Sequence, residues 1–301
     1  AGVHPSNILV ITFTRAAAEE MKKRFLAFNG MENAPVAFGT FHSIFFMILR
    51  DAYRYTTGNI IREDVKRRYI KEMTENMELE IEDENEFLSG IINEISYVKG
   101  EMIPLSYYHS SNCSDELFAQ IYEGYEKRLR EENLIDFDDM LVFCYELLKE
   151  RKDILAMWQQ KFQYILIDEF QDINKVQYEI VRMLAGKGEH LFIVGDDDQS
   201  IYRFRGARPE IMLGFEKDYP DTKKVILNTN YRCSAEIVDS AECLISHNTK
   251  RFPKNMHAAR GERVPITFRY LKDAGEECTD ILKGIRFYHK KGIPLEEMAV
   301  I

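Results

Sequence analysis

Short apolar runs alternate with longer amphipathic stretches along this chain. Four of five such runs are continuously apolar or nearly so, as expected of strands buried on both faces of a sheet. The predicted strands are Ile8–Phe13, Val36–Phe41, Tyr164–Ile167, Leu191–Val194 and Val225–Leu227, and the predicted helices are Arg15–Phe28, Ser43–Tyr53, Lys175–Leu184 and Ala235–His247. Strands and helices that alternate in this way predict an α/β fold with a parallel sheet and helices on both faces.

Two segments break this alternation. Residues 55–134 are charged, Met-rich and helical in period, which predicts a helical insertion between two strands of the sheet. After about Arg251 the composition changes again, and a strand-like run at Ile266–Leu271 precedes a helical stretch at Glu276–His289. We therefore predict a first α/β domain in residues 1–54 and 135–250, an insertion in 55–134, and the beginning of a second α/β domain in 251–301.

The composition limits the partners that the chain can have. Its 301 residues, 45% of them hydrophobic, can bury one large core or two smaller ones. The net charge of −10 argues against binding through a broad basic surface. Many acids lie between Glu72 and Glu86, where we favour a solvated acidic face over a docking site, so nucleic-acid binding elsewhere stays open. No apolar run approaches the roughly 20 residues of a membrane span, and we predict a cytoplasmic protein without a membrane partner.

The cysteines and the two ends of the chain allow two further predictions. The five cysteines are odd in number and include no C-x-x-C pair, so they predict neither a disulfide framework nor a zinc site. The chain begins without Met and stops within a strand-like run, Met298–Ile301. We expect it to be a fragment of a longer protein.

Chemically active residues follow three of the predicted strands, at the edge of the sheet where α/β proteins bind their ligands. Asp168 and Glu169 follow the strand Tyr164–Ile167. In a nucleotide hydrolase one such acid holds Mg²⁺ and the other orients or deprotonates the attacking water. Taken alone, however, the pattern fits equally well with acids that merely end a strand.

Two other strand ends favour a phosphate site. Leu191–Val194 is followed by three aspartates and by Gln199, an amide able to contact a phosphate oxygen or a water. Arg232 follows Val225–Leu227, and its planar guanidinium could stabilise a phosphate in transfer. Alone, Arg232 would more often be a surface or capping residue, but three strand ends with complementary chemistry favour the phosphate site.

Other residues that could suggest a site have simpler interpretations. The seven histidines show no metal-binding spacing, and we interpret Trp158 as a packing residue. Asp136, Asp138 and Asp139 could suggest a metal, but a helix N-cap with acids in its first turn explains them more simply.

Several motifs of this chain resemble those of one enzyme family. YILIDEFQD, GDDDQSIYRFRGA and NYRCS, in this order and spacing, resemble motifs II, III and IV of superfamily 1 DNA helicases of the UvrD/PcrA/Rep type. VITFTRAAA resembles motif Ia, GTFHS resembles motif Ib, and IDFDDM is similar to a segment ahead of motif II. The resemblance spans roughly residues 8–245. It implies a RecA-like P-loop NTPase sheet, ATP and Mg²⁺ as cofactors, and single-stranded DNA and single/double-strand junctions as partners.

The resemblance also implies roles for the strand-end residues. Asp168 would bind Mg²⁺, Glu169 would act as the base on water, and Gln199 would contact the γ-phosphate. Arg232 would contact the same phosphate as an internal arginine finger, and Tyr231 would stack on the adenine.

Motifs Ia, Ib and III would line the path of single-stranded DNA. The implied contacts are Thr12, Phe13, Thr14, Arg15, Thr40, Phe41, His42, Tyr202, Phe204 and Arg205. Stacking of a base on an aromatic ring is worth about 1–3 kcal/mol whatever the base, which suits a motor that moves along any sequence. Such stacking also lets an acidic chain hold DNA. Phe204 stands where close relatives often have tryptophan, so we expect weaker stacking there.

The phosphate-binding motif G-x-x-x-x-G-K-[ST] is absent from the 301 residues, because Gly186-Lys187-Gly188 has the wrong spacing and lacks the hydroxyl. In the family this loop precedes motif Ia, and motifs V and VI belong to the second motor domain. We therefore expect this chain alone to bind ATP poorly and to hydrolyse essentially none.

The resemblance implies that the chain is part of an ATP-dependent DNA helicase or translocase that moves 3′ to 5′. It would act at the nucleoid in repair or replication, with proteins of those processes as partners. Residues 1–54 and 135–250 would form the first RecA-like motor domain, and 251–301 would begin the second. Two alternatives stay open, namely the motor subunit of a helicase–nuclease complex and a homologue that binds DNA without moving. The four intact strand-end residues argue against the latter.

Overall fold

The computed structural model describes residues 2–75, 77, 83–186, 190–203, 206–261, 263 and 265–300. Its internal contacts divide the chain into two compact units, Ala1–Lys224 and Val225–Ile301. Each unit has its own parallel sheet, with four strands in the first unit and two in the second.

Four parallel strands form the sheet of the first unit. They are β1 Ile8–Thr12, β2 Ala37–Thr40, β3 Tyr164–Ile167 and β4 Leu191–Ile193, in the spatial order β2-β1-β3-β4. Because all of them run in the same direction, their carboxyl ends meet at one edge of the sheet. The predicted parallel α/β fold is confirmed, and the apolar runs locate these four strands to within one residue at each end.

The helices of the first unit cover both faces of this sheet at β2. They are α1 Arg15–Asn29, α2 Phe41–Tyr53, α3 Glu63–Glu75, α4 Glu84–Glu101, α5 Asp115–Glu131, α6 Phe137–Glu150, α7 Lys152–Lys161, α8 Lys175–Ala185, α9 Pro209–Leu213 and α10 Phe215–Asp218. Phe38 of β2 packs against Phe25 of α1, with ring centroids 5.8 Å apart. The next residue, Gly39, faces α2 so closely that a Cβ there would lie 2.9 Å from Cδ1 of Ile44. Neighbouring residues of a strand point to opposite faces, so α1 and α2 lie on opposite sides.

The main core lies where α2, α6 and α8 pack against β1 and β3. Leu9, Ile11 and Ile48 are fully buried there. Trp158 of α7 is also buried, and its ring stacks on Phe162 at a centroid distance of 5.4 Å. The packing role predicted for Trp158 is confirmed.

Helices α3, α4 and α5 lie within residues 55–134, the segment predicted to be a helical insertion, and they share a hydrophobic cluster around Ile70, Ile91 and Ile121. The chain enters and leaves the insertion through paired backbone. Ile60 and Ile135 form a parallel bridge, and the N–H of Ile135 donates to the carbonyl of Asn59 at 2.8 Å. Within the acidic stretch, residues 76 and 78–82 lie outside the described part of the chain.

β4 is less buried than its apolar sequence predicts. Phe192 is 59% exposed and Val194 is 42% exposed. The reason is that β4 lies at the edge of the sheet and pairs only with β3 among the described strands. Continuous apolarity therefore predicted the strand correctly but its burial incorrectly.

The second unit contains β5 Thr229–Ser234, β6 His257–Arg260, α11 Ala235–Ile245 and α12 Ala274–Lys290. Both predicted helices are confirmed, whereas the strands predicted at Val225–Leu227 and Ile266–Leu271 are wrong. Val225 and Leu227 are each 80% exposed, so no packed layer favours a strand there. Strand pairing begins instead at Thr229, which lies opposite His257.

Candidate functional site

The carboxyl end of β3 presents two acids at the edge of the sheet. The N–H of Asp168 still donates to the carbonyl of Ile11 in β1, at 2.9 Å, so Asp168 is fixed by the sheet. Glu169 has a φ of 54°, in the left-handed region that a side chain with a Cβ rarely adopts. This turn ends the strand abruptly and leaves the Glu169 side chain exposed beside the half-buried Asp168.

The acids that follow β3 lie close enough to influence one another. Burial raises the pKa of Asp168 above its ordinary value, and the charge of Glu169 raises it further. The pKa of Asp172 is raised by the same two causes in the same order. Its Oδ1 is buried and has no hydrogen-bond partner among the described residues. An oxygen-only set of carboxylates that repel one another suits a hard cation such as Mg²⁺, so these residues fit the predicted metal.

Gln171 joins Glu169 to the loop that follows β4. Its side-chain amide donates to Oε2 of Glu169 at 2.8 Å, and its Oε1 accepts from the N–H of Asp196 at 3.0 Å. Its backbone carbonyl accepts from Oγ of Ser200 at 3.2 Å. Gln171 itself is 2% exposed, so its amide is shielded from water, which strengthens the bonds that it makes. Gln171 therefore fixes the geometry of Glu169 relative to the loop that begins at Gly195.

The sequence pattern did not identify Gln171, although Gly195 was a usable signal. A Cβ at position 195 would lie 2.6 Å from Oε1 and 3.1 Å from the backbone nitrogen of Gln171. Only glycine allows this close approach. A glycine between an apolar run and a run of acids thus indicated a tightly packed backbone, but its partner is visible only in the fold.

The loop after β4 presents Gln199 to solvent. Asp196 caps a short 3-10 turn, Asp197–Gln199, and its Oδ2 accepts from the side-chain amide of Gln199 at 2.8 Å. Gln199 is exposed, at the same edge of the sheet as Glu169. Asp196, Asp197 and Asp198 form the one group of three potential metal ligands found within the described residues, with ligand oxygens within 4.8 Å of one another. The metal residue predicted from the sequence is Asp168, and Asp168 is not part of this group.

The predicted DNA contacts of motif III are only partly described. Tyr202 is 41% exposed, and its carbonyl accepts from the N–H of Ala207 at 3.2 Å, which closes the loop. Phe204 and Arg205 lie outside the described residues.

Motifs Ia and Ib lie side by side at the ends of β1 and β2. The rings of Phe13 and Phe41 meet edge to face, with centroids 5.1 Å apart. Phe41 and Thr12 are both buried, at 1% exposure, whereas Phe13 is half-buried. A DNA-binding role for Thr12 and Phe41 stays a prediction, since both side chains belong to the core in this structure.

Two threonines of these motifs, Thr14 and Thr40, cap helices. Oγ1 of Thr14 accepts from the N–H of Ala17 at 3.1 Å at the start of α1, and Oγ1 of Thr40 accepts from the N–H of Ser43 at 3.2 Å at the start of α2. Each cap satisfies a backbone donor that would otherwise lack a partner within its helix. Arg15 is exposed and pairs with Glu19 at 2.8 Å.

His42 contacts Phe137, an aromatic residue that is not among the DNA contacts implied by the motifs. Its ring lies perpendicular to that of Phe137, with centroids 5.6 Å apart, and Phe137 is 44% exposed. Burial lowers the pKa of His42, against the opposing charges of Asp138 and Asp136. The imidazole is therefore neutral at pH 7, and it would contact DNA through its ring rather than through a charge.

The acids around Phe137 are structural. Asp136 and Asp139 form a reciprocal capping box at the start of α6, which confirms the N-cap interpretation. Two buried lysines of the insertion, Lys66 and Lys99, lie 3.1 and 3.2 Å from Oδ2 of Asp136. Burial alone would raise the pKa of Asp136, but the two ammonium groups outweigh it and hold that pKa well below its ordinary value. The lysines supply the positive charge that a metal would otherwise provide.

Tyr231 and Arg232 belong to the second unit. They lie on β5, where Oδ1 of Asn230 accepts from the N–H groups of Arg232 and Cys233 at 2.9 and 2.8 Å. Both side chains are exposed. The structure thus brings together Asp168, Glu169 and the Gln199 loop in the first unit, and Tyr231 and Arg232 in the second.

Comparisons with known proteins agree with these motifs. The family model of the UvrD/REP helicase N-terminal domain matches residues 1–220. The chain is 38% identical over 307 residues to a Bacillus subtilis (strain 168) protein named putative ATP-dependent DNA helicase YjcD, with 100% of this chain and 40% of that protein covered. It is 36% identical over 295 residues to the ATP-dependent DNA helicase PcrA of Leuconostoc citreum, with 94% of this chain and 39% of the relative covered.

The match to a PcrA of Staphylococcus epidermidis is 35% identical over 308 residues, with 99% of this chain and 42% of the relative covered. The chain therefore spans about two fifths of the length of the relatives it matches. No helix in the described part of the chain is both long and apolar enough to cross a membrane.

Proposed function

This chain belongs to the UvrD/REP helicase family, and on that premise we propose that it is part of an ATP-dependent DNA helicase or translocase moving 3′ to 5′ along single-stranded DNA. Its substrates would be single-stranded DNA and single/double-strand junctions, met at the nucleoid in the cytoplasm during repair or replication. The observation that carries this proposal is the hydrogen-bonded link from Glu169 through Gln171 to the loop that bears Gln199 and Tyr202.

The ATP side of the proposal uses residues at the carboxyl edge of the sheet. Asp168 would hold Mg²⁺, which when bound offsets negative charge on the phosphates. Glu169 would accept a proton from the attacking water. The exposure of its side chain and the hydrogen bond that it accepts from Gln171 support this role. Gln199 would contact the γ-phosphate by releasing its amide from Asp196. By the family resemblance, Arg232 would contact the γ-phosphate and Tyr231 would stack on the adenine.

The DNA side of the proposal uses rings rather than charge. Phe13, His42, Phe137 and Tyr202 are all at least partly exposed, and His42 is neutral at pH 7. Stacked bases gain about 1–3 kcal/mol each without regard to sequence, as a translocating enzyme requires. The proposed path of the strand therefore passes Phe137 in addition to the residues of motifs Ia, Ib and III.

Gln171 gives the proposal a physical route for coupling. It contacts the proposed base through its side-chain amide and the motif III loop through its two oxygens. A displacement of Glu169 on binding or release of ATP would alter these bonds and shift the loop. Because Gln199 and Tyr202 lie on that loop, phosphate contact and base contact would change together.

Replacement of Glu169 by glutamine tests the proposed base. In the full-length protein, Glu169→Gln is expected to lower DNA-stimulated ATP hydrolysis by about 100-fold or more, the usual contribution of a general base. Single-stranded DNA binding should remain. The measurements are phosphate release and fluorescence anisotropy with a labelled oligonucleotide.

The matched control is Glu150→Gln, at the exposed end of α6, which should hydrolyse ATP at the wild-type rate. Near wild-type hydrolysis by Glu169→Gln would show that another group acts as the base. Wild-type protein that neither hydrolyses ATP nor unwinds a tailed duplex would contradict the proposed function as a whole.

A further inference from the structure

At the last turn of α4, the insertion contacts the segment that follows motif II and the residue that follows the motif III loop. Lys99, Gly100 and Glu101 are all buried there, and Met102 ends the helix with a φ of 53°. Two opposite charges buried side by side at a helix end are costly unless each finds a partner. Lys99 finds its partners in the acids at the start of α6, at 3.2 Å from Asp136 and 2.6 Å from Asp139.

Glu101 finds its partner on the other side, at the end of the motif III loop. Oε2 of Glu101 lies 2.5 Å from Nη2 of Arg208, and the Glu101 side chain is 1% exposed against 45% for Arg208. Burial raises the pKa of Glu101, while the charges of Arg208 and Lys175 oppose the rise. The carboxylate is thus withdrawn from water, and the charge that compensates it most strongly is that of Arg208, directly after the motif III loop.

Arg208 is also bound to the segment that follows the proposed base. Its N–H donates to the carbonyl of Ile173 at 3.0 Å, just beyond the 3-10 turn Phe170–Asp172. One residue therefore contacts the insertion through its side chain and the motif II segment through its backbone. The loop from Gly195 to Ala207 lies directly before it in the chain.

Close packing around Asn174 reinforces the contact between the end of α4 and the residues around Arg208. We call this contact the junction. Asn174 caps α8, and its Oδ1 accepts from the N–H of Gln177 at 2.9 Å. A Cβ on Gly100 would lie 3.2 Å from Nδ2 of Asn174, and a Cβ on Gly206 would lie 3.7 Å from its Cβ. The end of α4, the start of α8 and the end of the motif III loop therefore meet at one side chain.

We propose that Glu101 is a positioning residue that, through its ion pair with Arg208, ties the motif III loop to the helical insertion and sets how strongly DNA stimulates ATP hydrolysis. The inference rests on the proposed helicase function. Glu101 itself contacts neither ATP nor DNA in this role. It acts through Arg208 on the loop that carries Gln199 and Tyr202, so an insertion that moves on contact with DNA would move the loop with it.

The test compares the full-length wild-type protein with Glu101→Gln and Arg208→Gln. Each variant should retain its ATPase rate without DNA, whereas the maximal rate with saturating oligonucleotide should fall roughly five- to tenfold, the scale of coupling carried by single contacts. The KM for ATP should change little. The double variant should be no worse than either single one, because both remove the same ion pair.

Two further variants separate positioning from general stability. Arg208→Lys keeps the charge and should restore most of the DNA stimulation. Arg182→Gln on α8 is the matched control, since Arg182 is 44% exposed and pairs with Glu179 at 3.3 Å, yet lies outside the junction. It should behave as wild type.

The outcomes distinguish this inference from the function on which it rests. Wild-type DNA stimulation in both Glu101→Gln and Arg208→Gln would overturn the role of Glu101 alone. Variants that only lowered the melting temperature and left the stimulation ratio unchanged would overturn it as well. A wild-type protein whose ATPase ignores DNA would instead overturn the proposed function.

Discussion

Among single residues, Glu169 has a backbone conformation that its surroundings must impose. The described non-glycine residues with positive φ are Arg54, Met102, Asn133 and Glu169. The first two cap the ends of α2 and α4 and Asn133 lies just beyond α5, positions where the left-handed region is common. Glu169 instead follows a strand, where this conformation costs of order 1–3 kcal/mol and is typical of functional sites.

The positions of Asp168 and Glu169 at the end of a strand could be predicted from the sequence, but the contacts around them could not. Asp168 and Glu169 were predictable because a continuous apolar run locates the strand and hence the edge of the sheet. Gln171 was not, because its burial arises only when the loop after β4 folds against it. The burial of Lys66 and Lys99 beside Asp136 was also not predictable, because charged residues on an amphipathic helix are usually solvated.

Gly195→Ala tests the close approach of the two loops. The added Cβ would lie 2.6 Å from Oε1 of Gln171, so one of the loops must shift. We expect a loss of about 1–3 kcal/mol in the free energy of unfolding, as for other overpacked sites, together with weaker DNA stimulation of the ATPase.

Urea unfolding and steady-state ATPase assays would measure the two effects of Gly195→Ala. Gly124→Ala in α5 is the control, because its Cβ would meet Sδ of Met73 at 3.4 Å, an ordinary contact. Unchanged stability and activity in Gly195→Ala would show that the loops can separate without consequence.

At the scale of elements, apolar runs predicted the four-stranded sheet well and the second unit poorly. β1 to β4 are hydrogen-bonded neighbours, and apolar side chains of β1 and β3 are buried between the layers. Val225–Leu227 is equally apolar but exposed, and the observed strand Thr229–Ser234 is polar. A three-residue run carries too little periodicity to distinguish a strand from other apolar segments.

The packing of the insertion against α6 depends on paired buried charges. Lys99→Met would leave Asp136 and Asp139 with fewer compensating charges. Breaking a buried ion pair from one side typically costs about 3–5 kcal/mol, and we expect a loss of that size in the free energy of unfolding.

The measurement for Lys99→Met is urea unfolding of variant and wild-type protein at pH 7. Lys127→Met on α5 is the control, because this lysine is 71% exposed and pairs with Glu131 at 3.8 Å. An exposed pair of this kind contributes less than about 1 kcal/mol. Equal midpoints for the two variants would mean that the buried lysine does not stabilise the packing of the insertion against α6.

For the molecule as a whole, the residues predicted from the helicase motifs are found in both compact units. Asp168, Glu169 and Gln199 lie in the first, and Tyr231 and Arg232 lie in the second. The 301 residues contain no G-x-x-x-x-G-K-[ST] motif to bind the phosphates through its backbone and lysine. Catalysis by this chain would therefore lack a principal phosphate contact.

Purified as the 301-residue chain, the protein is expected to show no ATP hydrolysis above background, with or without single-stranded DNA. Phosphate release is the measurement, and the full-length Glu169→Gln protein sets the background. DNA-stimulated turnover by the isolated chain would contradict the prediction and would require another phosphate-binding element within these residues.

The paired backbone at Ile60 and Ile135 has an evolutionary consequence. Chain that departs and returns at neighbouring positions can be lengthened, shortened or exchanged at little entropic cost, because closure of the loop depends only weakly on its length. If the insertion were removed, the acids at the start of α6 would return to water rather than stay buried without partners. The α/β fold can therefore acquire new modules at this point while its sheet stays intact.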